Sequence, residues 1–131
     1  MALTRELIRS GWIQQLVANS GYPGHMLSEE ELRQSMATAM ARHPAGEALP
    51  LFAYGSLIWN PAFNYQHREV ARVHGYHRRF CLWTHLGRGT PDCPGLVLGL
   101  DTGGSCSGLV YWIAAADIAS ELEIVWRREM V

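Results

Sequence analysis

The sequence lacks the features that define several classes of protein. No apolar run approaches the roughly 20 residues that span a bilayer, and the first six residues already carry charge, unlike a signal peptide. Its three cysteines, Cys81, Cys93 and Cys106, are an odd number without metal-ligand spacing. Eleven basic and twelve acidic residues leave a net charge of −1, without the basic field that attracts nucleic acid. These absences predict a reduced, cytoplasmic protein that binds no membrane, nucleic acid or metal.

The first third of the chain has helical patterning. Apolar residues recur at helical spacing between Leu3 and Val17, which predicts a first helix, and a turn is expected at 22–24. The run Ser28-Glu29-Glu30-Glu31 matches a capping box, in which a serine hydroxyl and a glutamate three residues later satisfy each other's backbone N–H groups. A second helix is therefore expected after Ser28, and residues 1–48 are predicted to form an N-terminal helical extension.

Beyond Pro50 the pattern changes to the period of two that is typical of strands. Predicted strands cover residues 50–54, 68–75, 78–83, 95–100 and 107–113. Asp101-Thr102-Gly103-Gly104 is interpreted as a hairpin turn between the last two strands, and residues 88–95 as a loop. Helices, then antiparallel strands, then a final helix predict an α+β fold with a small curved sheet or barrel.

The first predicted strand ends in a Tyr-Gly-Ser turn at residues 54–56. Glycine tolerates positive φ and has no Cβ, so N–H groups beside Gly55 can converge on one oxygen. Ser56 adds a hydroxyl, while Tyr54 and Trp59 can supply flat apolar walls with a polar tip. The pattern predicts a turn that holds an anion, although the same spacing is also common in turns with a purely structural role.

The final helix is expected to begin at Asp117 as its cap. Four of its residues fall within one narrow stripe, Ile118, Leu122, Val125 and Glu129. Burial on an apolar face raises the pKa of a carboxyl group, as a general base near neutral pH requires. The alternatives are that the helix frays before Glu129, or that Glu129 pairs with Arg128 or with an arginine at 78–79.

Three separated segments, residues 51–59, 73–81 and 126–131, together resemble the ChaC family of γ-glutamylcyclotransferases, which act on glutathione. The resemblance implies cleavage of a γ-glutamyl peptide by internal attack of its own amine. The products would be 5-oxoproline and a dipeptide such as Cys-Gly. Because the attack is intramolecular, neither an enzyme nucleophile nor a cofactor is implied, and the expected partner is a small γ-glutamyl substrate.

The resemblance also implies roles for particular residues. Glu129, in the Trp-Arg-Arg-Glu motif, would be the catalytic base and then the acid. The expected substrate-binding residues are Leu51, Phe52, Ala53, Tyr54, Gly55, Ser56, Leu57, Arg78 and Arg79. The turn would donate N–H groups either to the oxyanion or to a substrate carboxylate. Strand alternation would place only one of the two arginines on a given side, and either could be a surface charge.

Members of the resembled family continue well beyond the glutamate motif, whereas this sequence stops at Val131. Residues 49–131 are therefore expected to form a γ-glutamylcyclotransferase-like domain that is incomplete at its C-terminal side. Two alternatives stay open: a cyclotransferase for another γ-glutamyl amine, and a non-catalytic fragment that acts as a binding module.

Overall fold

Helices flank one antiparallel sheet in this computed structural model, which describes residues 3–21, 24–84 and 95–130. The helices are α1 (Arg5–Arg9), α2 (Trp12–Asn19), α3 (Glu29–Met40), α4 (Ser56–Trp59) and α5 (Ile118–Glu129). The strands are β1 (Leu49–Ala53), β2 (His67–Thr84) and β3 (Gly95–Ile113). The α+β prediction is confirmed. Among the described residues, no helix has the length and apolar character needed to cross a membrane.

The N-terminal part is helical as predicted, but the single helix expected over 3–17 is two. Gly11, the N-cap of α2, adopts φ +81°, a left-handed conformation that interrupts the run between α1 and α2. The capping box before α3 is confirmed. The Glu31 N–H donates to Ser28 Oγ at 3.1 Å, and the Ser28 N–H donates to the Glu31 carboxylate at 3.1 Å. Most of the turn predicted at 22–24 lies outside the described residues.

The sheet has the order β1-β3-β2, with β2 and β3 paired in antiparallel fashion from end to end. The hairpin turn predicted at 101–104 is wrong, because those residues lie inside β3, and each long strand unites two predicted ones. Gly75 in β2 lies opposite Gly103 and Gly104 in β3, and all three have positive φ. This bulge absorbs one extra residue without reversing the chain. The loop predicted over 88–95 lies outside the described residues except for Gly95.

Helix α5 follows a 3-10 turn at Ala115–Asp117. Asp117 occupies the N-cap position of α5 as expected, but its carboxylate makes no capping hydrogen bond among the described residues, and its carbonyl accepts one from Ser120 Oγ at 3.1 Å. Leu122, Ile124 and Val125 of this helix are buried. They bring α5 into the core between the sheet and the N-terminal helices.

The core joins the N-terminal helices to the sheet. Its buried cluster consists of Ile8, Ala53, Phe63, Tyr111, Ile113, Ile124 and Val125. Ile8 of α1 is fully buried in this cluster, so the predicted N-terminal extension packs directly on the sheet part. Cys106 is also buried, as expected for a small core residue, whereas Cys81 is half-buried.

Candidate active site

A cavity of about 850 Å³ lies where β1 and α5 both end. Residues 52–57 form one side of it, and Arg128 and Glu129 form another. Leu3 and Ile13 from the N-terminal segment also line it, together with apolar side chains of β2 and β3. The cavity therefore combines a mainly apolar wall with a small set of polar groups, as ligand sites commonly do.

The turn at residues 54–56 links β1 to the short helix α4. Gly55 has φ −148°, so the turn does not use the positive φ that glycine tolerates, and among the described residues no atom beyond its chain neighbours lies within 4 Å of the position that a Cβ would occupy. The Ile58 N–H donates to the Gly55 carbonyl at 2.9 Å and closes the turn. Because the first N–H groups of a helix have no partner within it, α4 itself leaves those of Ser56 and Leu57 unpaired.

Tyr111 in β3 is hydrogen-bonded to the residues that follow this turn. Its side chain is fully buried, and its hydroxyl donates to the Leu57 carbonyl at 3.0 Å and lies 3.4 Å from that of Ile58. The ring contacts Phe63 edge-on, with centroids 5.2 Å apart. Sequence reasoning missed this residue, although a tyrosine inside an apolar strand signals that its hydroxyl needs an internal partner.

Glu129 is the last residue of α5. The helix continues to it, and the Met130 N–H donates to the Trp126 carbonyl at 2.8 Å, so the alternative of fraying before Glu129 is wrong. Its side chain is 43% exposed, so the expected burial is only partial. Loss of hydration against the cavity wall still raises the pKa of the Glu129 carboxyl group, and the charge of Arg128 opposes that rise.

Arg128 lies beside Glu129 in the cavity wall. Its Nε is 3.6 Å from Glu129 Oε1, which confirms one of the two pairings considered from the sequence. Its Nη1 donates to the carbonyl of Asn60, whose side-chain amide donates to the Leu3 carbonyl at 3.0 Å. The Arg128 side chain is only 10% exposed, and this burial lowers the pKa of its guanidinium.

The structure separates the other predicted binding residues from this cavity. Leu51 packs against the core instead of lining the cavity. Arg78 and Arg79 are exposed on β2. Arg78 Nη2 donates to the Ser107 carbonyl at 2.6 Å, and Arg79 Nη1 donates to Asp101 Oδ2 at 2.5 Å. The structure thus brings residues 52–57 together with Glu129 and leaves Leu51, Arg78 and Arg79 outside.

A buried carboxylate that sequence reasoning missed fixes α5 to its surroundings. The side chain of Glu121 is 4% exposed and accepts hydrogen bonds from Arg5 Nη2 at 3.0 Å and from the Asn64 N–H at 2.6 Å. These donors lower the pKa of Glu121 to about 2. Position 121 lies three residues after Ile118 and four before Val125, which is the spacing that could have indicated its burial.

A second cavity of about 370 Å³ lies between α3 and α5. Its central cation, Arg127, is paired with Glu29 at 2.6 Å and with Glu123 at 3.0 Å. Arg33, on the same rim, is paired with Glu30. Since its arginines are already matched by carboxylates of the chain itself, this cavity offers little to a charged ligand.

Residues 49–131 match the family described as ChaC-like protein. A glutathione-specific gamma-glutamylcyclotransferase of Escherichia coli (strain K12) is 38% identical over 104 residues, which make up 79% of this chain and 45% of that protein. The glutathione-specific gamma-glutamylcyclotransferase 1 of Rattus norvegicus is 35% identical over 104 residues, or 74% and 47% of the two chains. The chain thus spans about half the length of these curated relatives.

A solved structure is also similar. It is the crystal structure of a selenomethionine-labelled gamma-glutamyl cyclotransferase from yeast, specific to glutathione. The TM-score is 0.59 at 27% sequence identity, and the match covers 63% of this chain and 48% of the yeast chain. The similarity therefore extends to the three-dimensional arrangement of the sheet and helices.

Proposed function

The chain belongs to the ChaC-like family, and from this membership we propose that it acts in the cytoplasm as a glutathione-specific γ-glutamylcyclotransferase. The reaction converts glutathione to 5-oxoproline and Cys-Gly. The observation that carries the proposal is that Glu129, whose pKa is raised, lines the same cavity as the turn at residues 54–57.

In this mechanism, Glu129 is the general base and then the general acid. It takes a proton from the α-ammonium group of the γ-glutamyl residue, and the amine nitrogen attacks the γ-carbonyl carbon. A new C–N bond closes the five-membered ring, and the carbonyl oxygen becomes an oxyanion. Glu129 then returns the proton to the amide nitrogen, the old C–N bond breaks, and the ring nitrogen gives up its second proton to the departing amine, so 5-oxoproline leaves as the neutral lactam and Cys-Gly as its ammonium form. One carboxylate with a pKa raised toward neutrality suits both transfers.

The turn contributes hydrogen-bond donors and takes no part in the proton transfers. In the proposed site, the N–H groups of Ser56 and Leu57, two residues that line the cavity, would donate to the developing oxyanion or to a substrate carboxylate. Tyr54 adds a phenol whose pKa is raised by burial and by the negative charge of Glu129, so it stays protonated and able to donate near neutral pH. The remaining rate gain comes from folding the substrate so that its amine lies close to its own γ-carbonyl.

The decisive experiment incubates the purified chain with glutathione and quantifies 5-oxoproline and Cys-Gly by mass spectrometry. We expect the Glu129→Gln variant to lose at least about 100-fold in kcat/KM, since general acid–base catalysis contributes about 10²–10⁴-fold. The matched control is Glu123→Gln, which has similar exposure on the same helix but lines the second cavity and pairs with Arg127, and it should keep wild-type activity. Full activity in Glu129→Gln would remove this residue from the mechanism.

The pH dependence of kcat/KM is a second test of the role of Glu129. As the base, Glu129 must be ionised, so kcat/KM should rise with pH through a pKa above the ordinary glutamate value of 4.5. A carboxyl group whose pKa is raised in the folded state lowers stability once it ionises, so Glu129→Gln should not lower the melting temperature at pH 7. If Glu129→Gln is stable but inactive, its loss of activity is a loss of catalysis and not of folding.

The same assay tests the two alternatives left open by the sequence. Turnover of another γ-glutamyl amine in preference to glutathione would change the substrate and keep the reaction. Binding of glutathione without formation of 5-oxoproline would instead favour a binding module.

A further inference from the structure

Arg128 places a positive charge in the wall of the cavity that contains Glu129. A guanidinium carries five N–H donors. Within the described parts of the chain, its polar partners are the Asn60 carbonyl and, at 3.6 Å from Nε, the Glu129 carboxylate. With only 10% of the side chain exposed, water replaces few of the missing partners, so most donors of this cation are left for a bound group.

Other arginines near the core are matched by carboxylates. The adjacent Arg127 pairs with both Glu29 and Glu123, and Arg5 pairs with Glu121. Burying a charge without full pairing is costly, and such groups are kept buried in proteins mainly where a partner completes them. Within the described residues Arg128 has a single carboxylate partner, Glu129 at 3.6 Å from its Nε, and that charge is lost whenever Glu129 is protonated, so an anion arriving through the cavity would complete its pairing.

We propose that Arg128 binds the α-carboxylate of the γ-glutamyl group, so that Arg128 and Glu129 together recognise the two charges of its amino-acid end. This inference rests on the function proposed above. An α-amino acid carries its ammonium and carboxylate groups on one carbon, and two neighbouring residues of α5 present the opposite charges side by side. Fixing the carboxylate would also direct the amine toward the base that deprotonates it.

The test compares glutathione with 4-aminobutyryl-cysteinylglycine, which has the same amine and γ-carbonyl but no α-carboxylate. Cyclisation of this analogue gives 2-pyrrolidinone and Cys-Gly. We expect the wild type to prefer glutathione about 10- to 100-fold in kcat/KM, as a charge-assisted pair allows, mainly through KM. Arg128→Gln should lower kcat/KM for glutathione by about this factor more than for the analogue, so that the preference between the two substrates disappears, and Arg128→Lys should recover part of it.

The matched control is Arg127→Gln, which removes the neighbouring charge outside the cavity and should keep the wild-type preference between the two substrates. A structural role of Arg128, acting through the Asn60 carbonyl, would lower turnover of both substrates by the same factor. That result would overturn the proposal while leaving the proposed function in place.

A binding measurement tests carboxylate binding by Arg128 separately from the proposed enzymatic activity. In the Glu129→Gln background, calorimetry measures affinity for glutathione and for the analogue without turnover. A preference for glutathione that disappears in the Arg128→Gln, Glu129→Gln double variant supports carboxylate binding, even if the wild type were to form no 5-oxoproline. Equal affinities of the Glu129→Gln chain for both compounds would overturn it.

Discussion

At the scale of single residues, the charge of Glu129 acts on Tyr54. The negative charge of Glu129 is one of the causes that raise the pKa of Tyr54, after burial of the phenol itself. A tyrosine in this setting resists deprotonation and keeps its proton for a hydrogen bond. The cavity thus presents a proton acceptor, Glu129, beside a hydrogen-bond donor that stays protonated, Tyr54, and the proposed cyclisation can use both.

Tyr111 determines where the turn lies, and Tyr111→Phe tests this role. The change removes the hydroxyl that donates to the Leu57 carbonyl and leaves that acceptor unpaired, at a cost of about 1–3 kcal/mol in the free energy of unfolding. We expect kcat to fall as residues 54–57 shift. Denaturant unfolding and steady-state kinetics would measure the two effects.

Tyr65→Phe is the control for this change. Tyr65 contacts the ring of Tyr111 at 4.7 Å between centroids, but it is 38% exposed, and the described residues give its hydroxyl no hydrogen bond. Loss of the Tyr65 hydroxyl should change neither the free energy of unfolding nor the turnover. If both variants behaved alike, the hydroxyl of Tyr111 would have no special part in holding the turn.

At the scale of elements, the site depends on how closely β1 approaches β3. Gly108 in β3 faces the backbone of β1, and a Cβ built there would lie 2.2 Å from the Ala53 carbonyl oxygen and 3.0 Å from Phe52. A backbone carbonyl cannot turn away as a side chain does. The glycine is therefore required for the pairing that carries β1 into the Tyr-Gly-Ser turn.

Gly108→Ala should destabilise the fold by about 1–3 kcal/mol, the usual cost of overpacking, and should lower activity further by displacing residues 53–55. Ser107→Ala, at the exposed neighbouring position in β3, is the matched control and should be near neutral. Thermal unfolding of the two variants provides the comparison. If the Gly108→Ala chain were as stable as the control, β1 and β3 could move apart slightly without loss of stability.

At the scale of the whole molecule, the N-terminal helices and α5 form one unit around the cavity. Residues 1–48 lie outside the matched family segment 49–131, yet Leu3 and Ile13 line the cavity. Gln14 Nε2 donates to the Arg127 carbonyl at 2.9 Å, directly before the two charged residues of the site. The N-terminal segment therefore shapes one wall and steadies the end of α5.

The Arg5–Glu121 pair joins these parts and predicts how stability depends on pH. Because the folded pKa of Glu121 is depressed from 4.5 to about 2, the stability that its ionisation provides is present above about pH 4.5 and is lost as the pH falls toward about 2. Glu121→Gln should cost about 3 kcal/mol at pH 7 and flatten the curve over that acid range. Urea unfolding at several pH values measures both.

Glu123→Gln serves as the control on the same helix. Its carboxylate is 42% exposed and pairs with Arg127, so its removal should cost at most about 1 kcal/mol. Equal losses in the free energy of unfolding of Glu121→Gln and Glu123→Gln would mean that burial does not strengthen the Arg5–Glu121 pair.

The sequence by itself determined the class of fold, the capping box, the strand before the turn and Glu129 at the end of a helix. Each of these follows from local patterning, in which spacing along the chain reports which side of an element is buried. The sequence could not show that Gly103 and Gly104 form a bulge instead of a hairpin, because positive φ serves both and only the pairing with β2 distinguishes them.

Tertiary structure alone decided which charges distant in sequence meet. Arg78 and Arg79 match the motif but pair within the sheet, while Arg128 is turned into the cavity, and Glu121 finds Arg5 across 116 residues of chain. Such contacts depend on how α5 packs against elements distant in sequence. Local periodicity carries no information about that packing, and the electrostatics of the cavity follow from it.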